Sequence, residues 1–164
     1  MEIASIWISG YDFLNNAKTN VESTPPLKAI HIFFDFNESN QKLENSKILI
    51  LGISYKANVK DVQLSPAKII VEKLQKLGVS VHLYDPFFTS TVIFGLETQN
   101  NLENILPEMD GAIIVTGHDD FKNITISSFT KMKHAIVVDT RGIIDPVIAR
   151  KEKIIFRGLG RGGF

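Results

Sequence analysis

The stretch KILILGISYKANVKDVQLSPAKIIVEKLQKLGVSVHLYDPF, residues 47–87, contains the pattern that decides the fold. Residues 47–53 are a short apolar run followed by loop residues, which is typical of a buried parallel strand. Ser65 is a favoured helix N-cap and Pro66 is tolerated at the first helical position, and apolar side chains then recur at helical spacing. A second apolar run lies at 79–84. This order predicts a strand, a helix that begins at Pro66 and a second strand.

The remainder of the chain continues the alternation of strand and helix patterns. Apolar runs predict further strands and weaker periodic patterns predict helices between them, with strands at 111–116, 134–139 and 153–158 and helices near 100–108 and 125–132. Strands that alternate with helices indicate right-handed βαβ units and a parallel sheet covered on both faces. We therefore expect an α/β fold, a Rossmann-like three-layer domain with a mainly parallel sheet, over residues 47–164.

Residues 1–46 lack this regularity. They contain the adjacent prolines Pro25 and Pro26, a cluster of phenylalanines and a polar stretch, and the helical pattern within 27–44 is poor. We expect an irregular N-terminal extension that packs on the domain or on a neighbour. The alternative is the remnant of a preceding domain.

Composition and charge disfavour several classes of protein. The chain has 164 residues, 44% hydrophobic and 22% charged, which fits one soluble globular domain. Lysine plus arginine and aspartate plus glutamate number 18 each, and this balance disfavours nucleic-acid binding, which needs a basic surface. The sequence has no cysteine, so it contains no disulfide, thiolate metal site or cysteine nucleophile. Because it also lacks a long apolar run and signal-peptide features, we expect a cytoplasmic protein with no membrane partner.

The loops that follow the predicted strands form the candidate site, because ligands of open parallel sheets bind beyond the carboxyl ends of the strands. Lys56 and Arg141 are the lysine and arginine of these loops, and the helix that starts near Ser65 points its N–H groups and positive dipole end to the same edge. These features favour a phosphorylated or carboxylated small molecule. The alternative is that both cations are solvated loop charges. The loops are residues 54–58, 85–87, 117–120 and 140–142.

Two other motifs have simpler interpretations. GLGRGG at 158–163 has the spacing of a dinucleotide-binding motif, but that motif needs a following helix, so we predict a tail or turn here. His118 stands beside Asp119 and Asp120, which predicts a solvated turn, with a weak cation site as the alternative. The four histidines lack the spacing of metal ligands, and we expect no metal site.

Several blocks of the sequence resemble, in the same order, the C-terminal UDP-binding domain of nucleotide-sugar 6-dehydrogenases. The resemblance covers about residues 45–162 and rests on the stretch at 47–87, DGAIIVTGHDDFKNI at 110–124, VVDTRGIID at 137–145 and GLGRG at 158–162. The Tyr-Lys-x-Asn-Val-x-Asp pattern with Asp-Thr-Arg is most similar to the branch for UDP-N-acetylmannosamine or UDP-N-acetylglucosamine, and UDP-glucose dehydrogenases come next.

The resemblance implies an oxidoreductase family and roles for individual residues. Members oxidise the sugar C6 alcohol to a carboxylate with NAD, which a separate Rossmann domain holds, and they use a catalytic cysteine. Tyr55 and Lys56 match the family's aromatic–lysine pair that reaches the UDP-sugar, and Arg141 matches the arginine that lines the same cleft. Gln63 stands where the family usually has an arginine on the NAD side, and its amide lacks the guanidinium charge and fork.

The resemblance covers only the nucleotide-binding part of that family. We therefore expect UDP or a UDP-sugar as ligand, and neither NAD binding nor catalysis by the chain alone. Its expected partner is a separate NAD-binding, catalytic polypeptide or a second copy in a homo-oligomer. One alternative is a stand-alone nucleotide-binding or regulatory module without enzyme activity, and another is a remnant that binds no ligand.

Purified chain mixed with NAD and UDP-sugars should form no NADH above background. The reason is that the sequence lacks the cysteine that forms the thioester in the family. The absorbance of NADH followed over time measures this directly. A steady increase from a preparation free of other dehydrogenases would contradict the expectation.

Overall fold

Seven strands form one sheet in the computed structural model, which describes residues 44–159. Their order across the sheet is β3-β4-β2-β1-β5-β6-β7, and every neighbouring pair is parallel except β3 with β4. The expected α/β domain with a mainly parallel sheet is confirmed. The strands are β1 Lys47–Leu51, β2 Ser80–Tyr84, β3 Val92–Ile93, β4 Leu96–Gln99, β5 Gly111–Ile114, β6 Ile136–Asp139 and β7 Ile155–Gly158.

Helices cover both faces of the sheet and complete three layers. The α-helices are α1 Pro66–Lys76, α2 Leu102–Ile105 and α3 Pro146–Lys151. One apolar cluster joins α1 to one face, and a second joins α2 and α3 to the other. Short 3-10 helices supplement them at Leu106–Glu108, Asp119–Asn123 and Ile126–Lys131.

The central strand β1 contributes to both clusters. Side chains alternate between the two faces of a strand, so Ile48 and Ile50 pack with α1 whereas Leu49 and Leu51 pack on the opposite face. All four are buried. This double burial explains why the run at 47–53 is continuously apolar rather than alternating.

Helix α1 begins as the Ser65-Pro66 pair predicts. The Ser65 hydroxyl accepts a hydrogen bond from the Ala67 N–H at 3.2 Å, and Pro66 occupies the first turn. The helix buries an apolar face against the sheet and ends before Gly78, whose φ of +77° is a conformation that glycine adopts without strain. Because α1 connects β1 to a parallel neighbour, its N-terminus lies at the carboxyl edge of the sheet.

The hairpin of β3 and β4 was not predicted from the sequence. Its two connecting residues, Phe94 and Gly95, both have positive φ, at 52° and 78°. Two-residue hairpins commonly use such turns, and Asn-Gly or Asp-Gly is their usual sequence signal. A phenylalanine in the first position hides this signal.

Two predicted helices are present in a form that the sequence did not specify, and a third helix was missed. The helix expected near 125–132 is a 3-10 helix rather than an α-helix, and the one expected near 100–108 divides into α2 and a 3-10 turn at Leu106–Glu108. Helix α3 was missed, although Asp145-Pro146 has the same pattern as Ser65-Pro66 in α1, an N-cap residue followed by proline in the first turn. The Asp145 carboxylate accepts hydrogen bonds from the Val147 and Ile148 N–H groups.

Some sequence predictions fall largely outside the described residues. The extension expected over residues 1–46 is described only from residue 44, and the glycine motif at 158–163 only to residue 159, so both stay predictions. Within residues 44–159, no helix combines the length and apolar character of a membrane span. No cluster of three or more potential metal ligands occurs in that same part of the chain.

Candidate functional site

The loops that follow β1, β2, β5 and β6 meet at the carboxyl edge of the sheet, as the parallel pairing requires. The loops after β1 and β5 touch directly, because the Thr116 hydroxyl donates to the Ser54 carbonyl at 2.6 Å. A Cβ atom on Gly52 would stand 2.3 Å from the Thr116 carbonyl oxygen, and Gly52 has a φ of +80°. Only glycine therefore fits where the two loops cross.

The buried carboxylate of Asp85 ties three of these loops together. Its Oδ2 accepts from the Ile53 N–H at 2.8 Å and from both the N–H and the hydroxyl of Ser54 at 3.1 Å. The same oxygen lies 2.9 Å from Nε2 of His118, while Oδ1 accepts from the Phe87 N–H at 2.9 Å. The five donors come from the loops after β1, β2 and β5.

These donors set the protonation of Asp85. Burial alone would raise the pKa of its carboxyl, but the hydrogen bonds from His118 and from the Phe87 and Ile53 N–H groups outweigh that effect. The pKa of Asp85 consequently lies below its ordinary value. The carboxylate is charged at neutral pH and every contact to it is charge-assisted.

His118 was predicted to lie in a solvated turn, and that prediction is wrong. The side chain is completely buried, and the centroid of its ring lies 5.0 Å from that of the Phe87 ring and 5.3 Å from that of the Phe121 ring. Its Nδ1 accepts from the Asn58 N–H at 3.0 Å. The overlooked signal is Phe121, because one 3-10 turn later it donates its N–H to the His118 carbonyl and packs against the imidazole.

The neighbouring residues Asp119 and Asp120 are both exposed, and protein groups engage Asp119. Asp119 pairs with Lys122 at 2.6 Å and exchanges two hydrogen bonds with the Asn58 side chain. Lys122 and Asn58 lower the pKa of Asp119 by stabilising its charge. Asp119 is therefore a link between the loops after β1 and β5, and a cation site has no support here.

The loop between β1 and α1 contains hydrogen bonds between its own residues and exposes three of its side chains to solvent. The Tyr55 N–H donates to the Asp61 carbonyl at 2.7 Å, and the Asp61 carboxylate accepts from the Gln63 N–H at 2.8 Å. Tyr55, Lys56 and Gln63 are exposed, Tyr55 by 55%. Within residues 44–159, Lys56 has no hydrogen bond or ion pair. The loop thus offers an aromatic ring and an unpaired ammonium group at the carboxyl edge.

Arg141 approaches the same edge from the loop after β6. The buried Asp139 carboxylate fixes this loop by accepting from three N–H groups, those of Arg141, Gly142 and Ile144, each at 2.8 Å. The Arg141 Nε donates to the Val115 carbonyl at 2.6 Å, which lays the side chain along the loop after β5. Its terminal nitrogens have no acceptor in the described part of the chain.

The sequence-predicted cations therefore border one loop from opposite sides. Residues 115–119 bond to Asn58, two residues after Lys56, on one side and to Arg141 on the other. The N-terminus of α1 starts at the same edge, at Ser65. Gln63 lies just before that helix, exposed, in the segment that leads into it. The arrangement combines two cationic side chains with a helix N-terminus, which suits an anionic ligand.

Comparison with known proteins assigns the chain to a family. The model for the UDP-binding domain of the UDP-glucose/GDP-mannose dehydrogenases matches residues 49–146. The chain belongs to this family. The resemblance predicted from the sequence blocks is confirmed, and residues 49–146 correspond to the UDP-binding domain of that family.

Individual relatives agree with this assignment. A UDP-N-acetyl-D-mannosamine dehydrogenase from Methanococcus maripaludis is 32% identical over 126 residues, which are 74% of this chain and 29% of the relative. The solved UDP-D-ManNAc dehydrogenase from Pyrococcus horikoshii shows a TM-score of 0.72 and 31% identity, over 91% of this chain and 36% of that one. The chain thus spans about a third of the length of the relatives that it matches.

A more distant structure supports the fold alone. The NDP-N-acetyl-D-galactosaminuronic acid dehydrogenase from Methanosarcina mazei has a TM-score of 0.76 at 22% identity, over 84% of this chain and 30% of that one. At this identity the shared arrangement of strands and helices is what the comparison establishes.

Asp85→Asn should lower the free energy of unfolding by about 2–4 kcal/mol at pH 7, because the buried donors lose a charged acceptor. A carboxyl whose pKa is lowered by folding stabilises the native state above its unfolded pKa, and this contribution disappears as the pH falls through the folded pKa. The difference in unfolding free energy between the native chain and the variant should therefore decrease below about pH 4. Urea unfolding at a series of pH values measures this difference.

Asp120→Asn is the matched control, since Asp120 is exposed and lies outside this network. It should change the unfolding free energy by less than about 0.5 kcal/mol. A difference for Asp85→Asn that is independent of pH, or no larger than that of the control, would contradict the assigned role of Asp85.

Proposed function

We propose that the chain binds the UDP moiety of a nucleotide sugar at the carboxyl edge of its sheet, through Tyr55, Lys56 and Arg141. The observation that carries the proposal is the placement of Lys56 and Arg141 on either side of the loop at 115–119, beside the N-terminus of α1. The family assignment supports the ligand class, because the matching domain is the family's UDP-binding domain.

Each side chain has chemistry that suits part of this ligand. The Lys56 ammonium is a compact point charge without a protein partner in residues 44–159, so it can neutralise a phosphate at no loss of an existing ion pair. Arg141 is held at Nε by the Val115 carbonyl, which orients the remaining guanidinium donors. Tyr55 offers an exposed ring and hydroxyl. Each charge-assisted contact to phosphate contributes about 1.5–3 kcal/mol.

The dehydrogenase reaction itself belongs to a larger assembly in this proposal. The chain spans about a third of its relatives, which are named as UDP-sugar dehydrogenases. We assign to it the nucleotide-sugar-binding part, and the NAD site and the catalytic cysteine to another polypeptide or to chain beyond this sequence. Gln63 stands where the family usually has an arginine on the NAD side, and because its amide lacks the guanidinium charge we assign no NAD contact to it. UDP-N-acetylmannosamine is the preferred substrate candidate, since relatives with that name reach 32% identity.

UDP should bind the purified chain with a dissociation constant of about 0.1–1 mM, equivalent to roughly 4–5.5 kcal/mol, because two charge-assisted contacts, from Lys56 and Arg141, supply most of the affinity. Lys56→Ala and Arg141→Ala should each weaken binding by about tenfold, the loss expected for one charge-assisted contact. Titration by calorimetry and by amide NMR gives both the affinity and the location.

Lys131→Ala is the control of equal charge change. Lys131 pairs with Glu103 and lies at the end of the 3-10 helix before β6, outside the loops that carry Tyr55, Lys56 and Arg141, so its removal should leave UDP affinity unchanged. The proposal fails if several millimolar UDP shifts no resonance of Tyr55, Lys56 or Arg141, or if all three alanine variants bind equally well.

A further inference from the structure

His118 links the buried centre of the site to the loop that presents Lys56. One ring nitrogen, Nε2, lies 2.9 Å from the Asp85 carboxylate, and the other, Nδ1, accepts from the Asn58 N–H at 3.0 Å. Asn58 is two residues beyond Lys56 in the same loop. The imidazole therefore spans the distance between a fixed buried charge and the ligand-facing loop.

The two contacts define one tautomer of His118. A main-chain N–H can only donate, so Nδ1 must offer a lone pair to Asn58 and carries no proton. The proton of the neutral ring is then on Nε2, where it is donated to Asp85. A carboxylate that accepts a hydrogen bond from one ring nitrogen keeps the proton there, so the other nitrogen is left as a hydrogen-bond acceptor.

Asn58 has a φ of +60°, in the left-handed region, which asparagine tolerates better than other non-glycine residues. Two sets of contacts hold it in place. The Asn58 side chain forms two hydrogen bonds with Asp119, but both are exposed, so water competes for the same groups. The hydrogen bond to Nδ1 reaches a completely buried partner, so water competes for it less than for the exposed contact to Asp119.

We propose that His118 is a positioning residue for nucleotide binding, whose Nδ1 lone pair holds Asn58, and through it Lys56, in the binding conformation of the loop. His118 does not touch the ligand in this role. The inference rests on the proposed UDP site and adds to it a buried residue outside the set that the sequence predicted.

Two amide substitutions separate the functions of the two ring nitrogens. His118→Asn places its amide oxygen near the position of Nδ1 and loses the donor to Asp85, which keeps its four other donors. His118→Gln reaches the position of Nε2 and can donate to Asp85, but it leaves the Asn58 N–H without its acceptor. Both variants lose the ring contacts with Phe87 and Phe121, so each controls for packing in the other.

UDP titrations at constant pH should show His118→Asn within about threefold of the native affinity and His118→Gln about tenfold weaker than His118→Asn. Thermal unfolding of both variants is measured alongside, because the positioning role concerns the difference in affinity and not in stability. Equal affinities of the two variants, or weaker binding by His118→Asn, would overturn the proposal.

NMR of the native chain provides a test that requires no variant of His118 to fold. The ¹⁵N shifts of the His118 ring should show a protonated Nε2 and an unprotonated Nδ1, and a proton on Nδ1 would overturn the proposal. Lys56→Ala distinguishes the two levels of inference. If it binds UDP as the native chain does, the UDP site at this loop is wrong; if it weakens binding while the His118 variants remain equal, only the positioning role is wrong.

Discussion

The charge of Asp85 is the constraint on which the candidate site depends. A carboxylate removed from water loses several kcal/mol of solvation, which only well-placed donors can offset. Here the donors belong to the loops after β1, β2 and β5, and the side chain is completely buried among them. Because any loop that moved away would leave a buried charge less satisfied, the three loops must keep their relative positions together.

A second buried carboxylate, Asp139, acts in the same way within the loop after β6. It accepts three main-chain N–H groups and so fixes the backbone that carries Arg141. The two aspartates occupy corresponding places, Asp85 directly after β2 and Asp139 as the last residue of β6. Each converts a flexible strand-to-loop junction into a rigid one, while the charged side chains that face solvent, Lys56 and Arg141, remain available for an anionic ligand.

Local sequence patterns predicted five of the seven described strands, all except β3 and β4, and the loops that carry Lys56 and Arg141. These patterns depend only on residues close together in the sequence. The apolar run at 47–53 contains strand β1, and the Ser65-Pro66 pair caps helix α1, both as expected. The hydrogen bonds of His118 could not be predicted in this way, because its partners Asp85 and Asn58 are 33 and 60 residues away. The β3–β4 hairpin was hidden by Phe94 in a turn that usually begins with asparagine or aspartate.

Amide hydrogen exchange of the native chain tests most directly whether the Asp85–His118 network holds these loops. The N–H groups of Ile53, Ser54 and Asn58 lie outside regular strands, yet they donate to Asp85 or His118. We expect them to exchange as slowly as the amides of the central strand β1, because their opening requires the network to open. Exchange as fast as that of the exposed Lys60 amide in the same loop would show that the loops move independently and would contradict the organising role of the network.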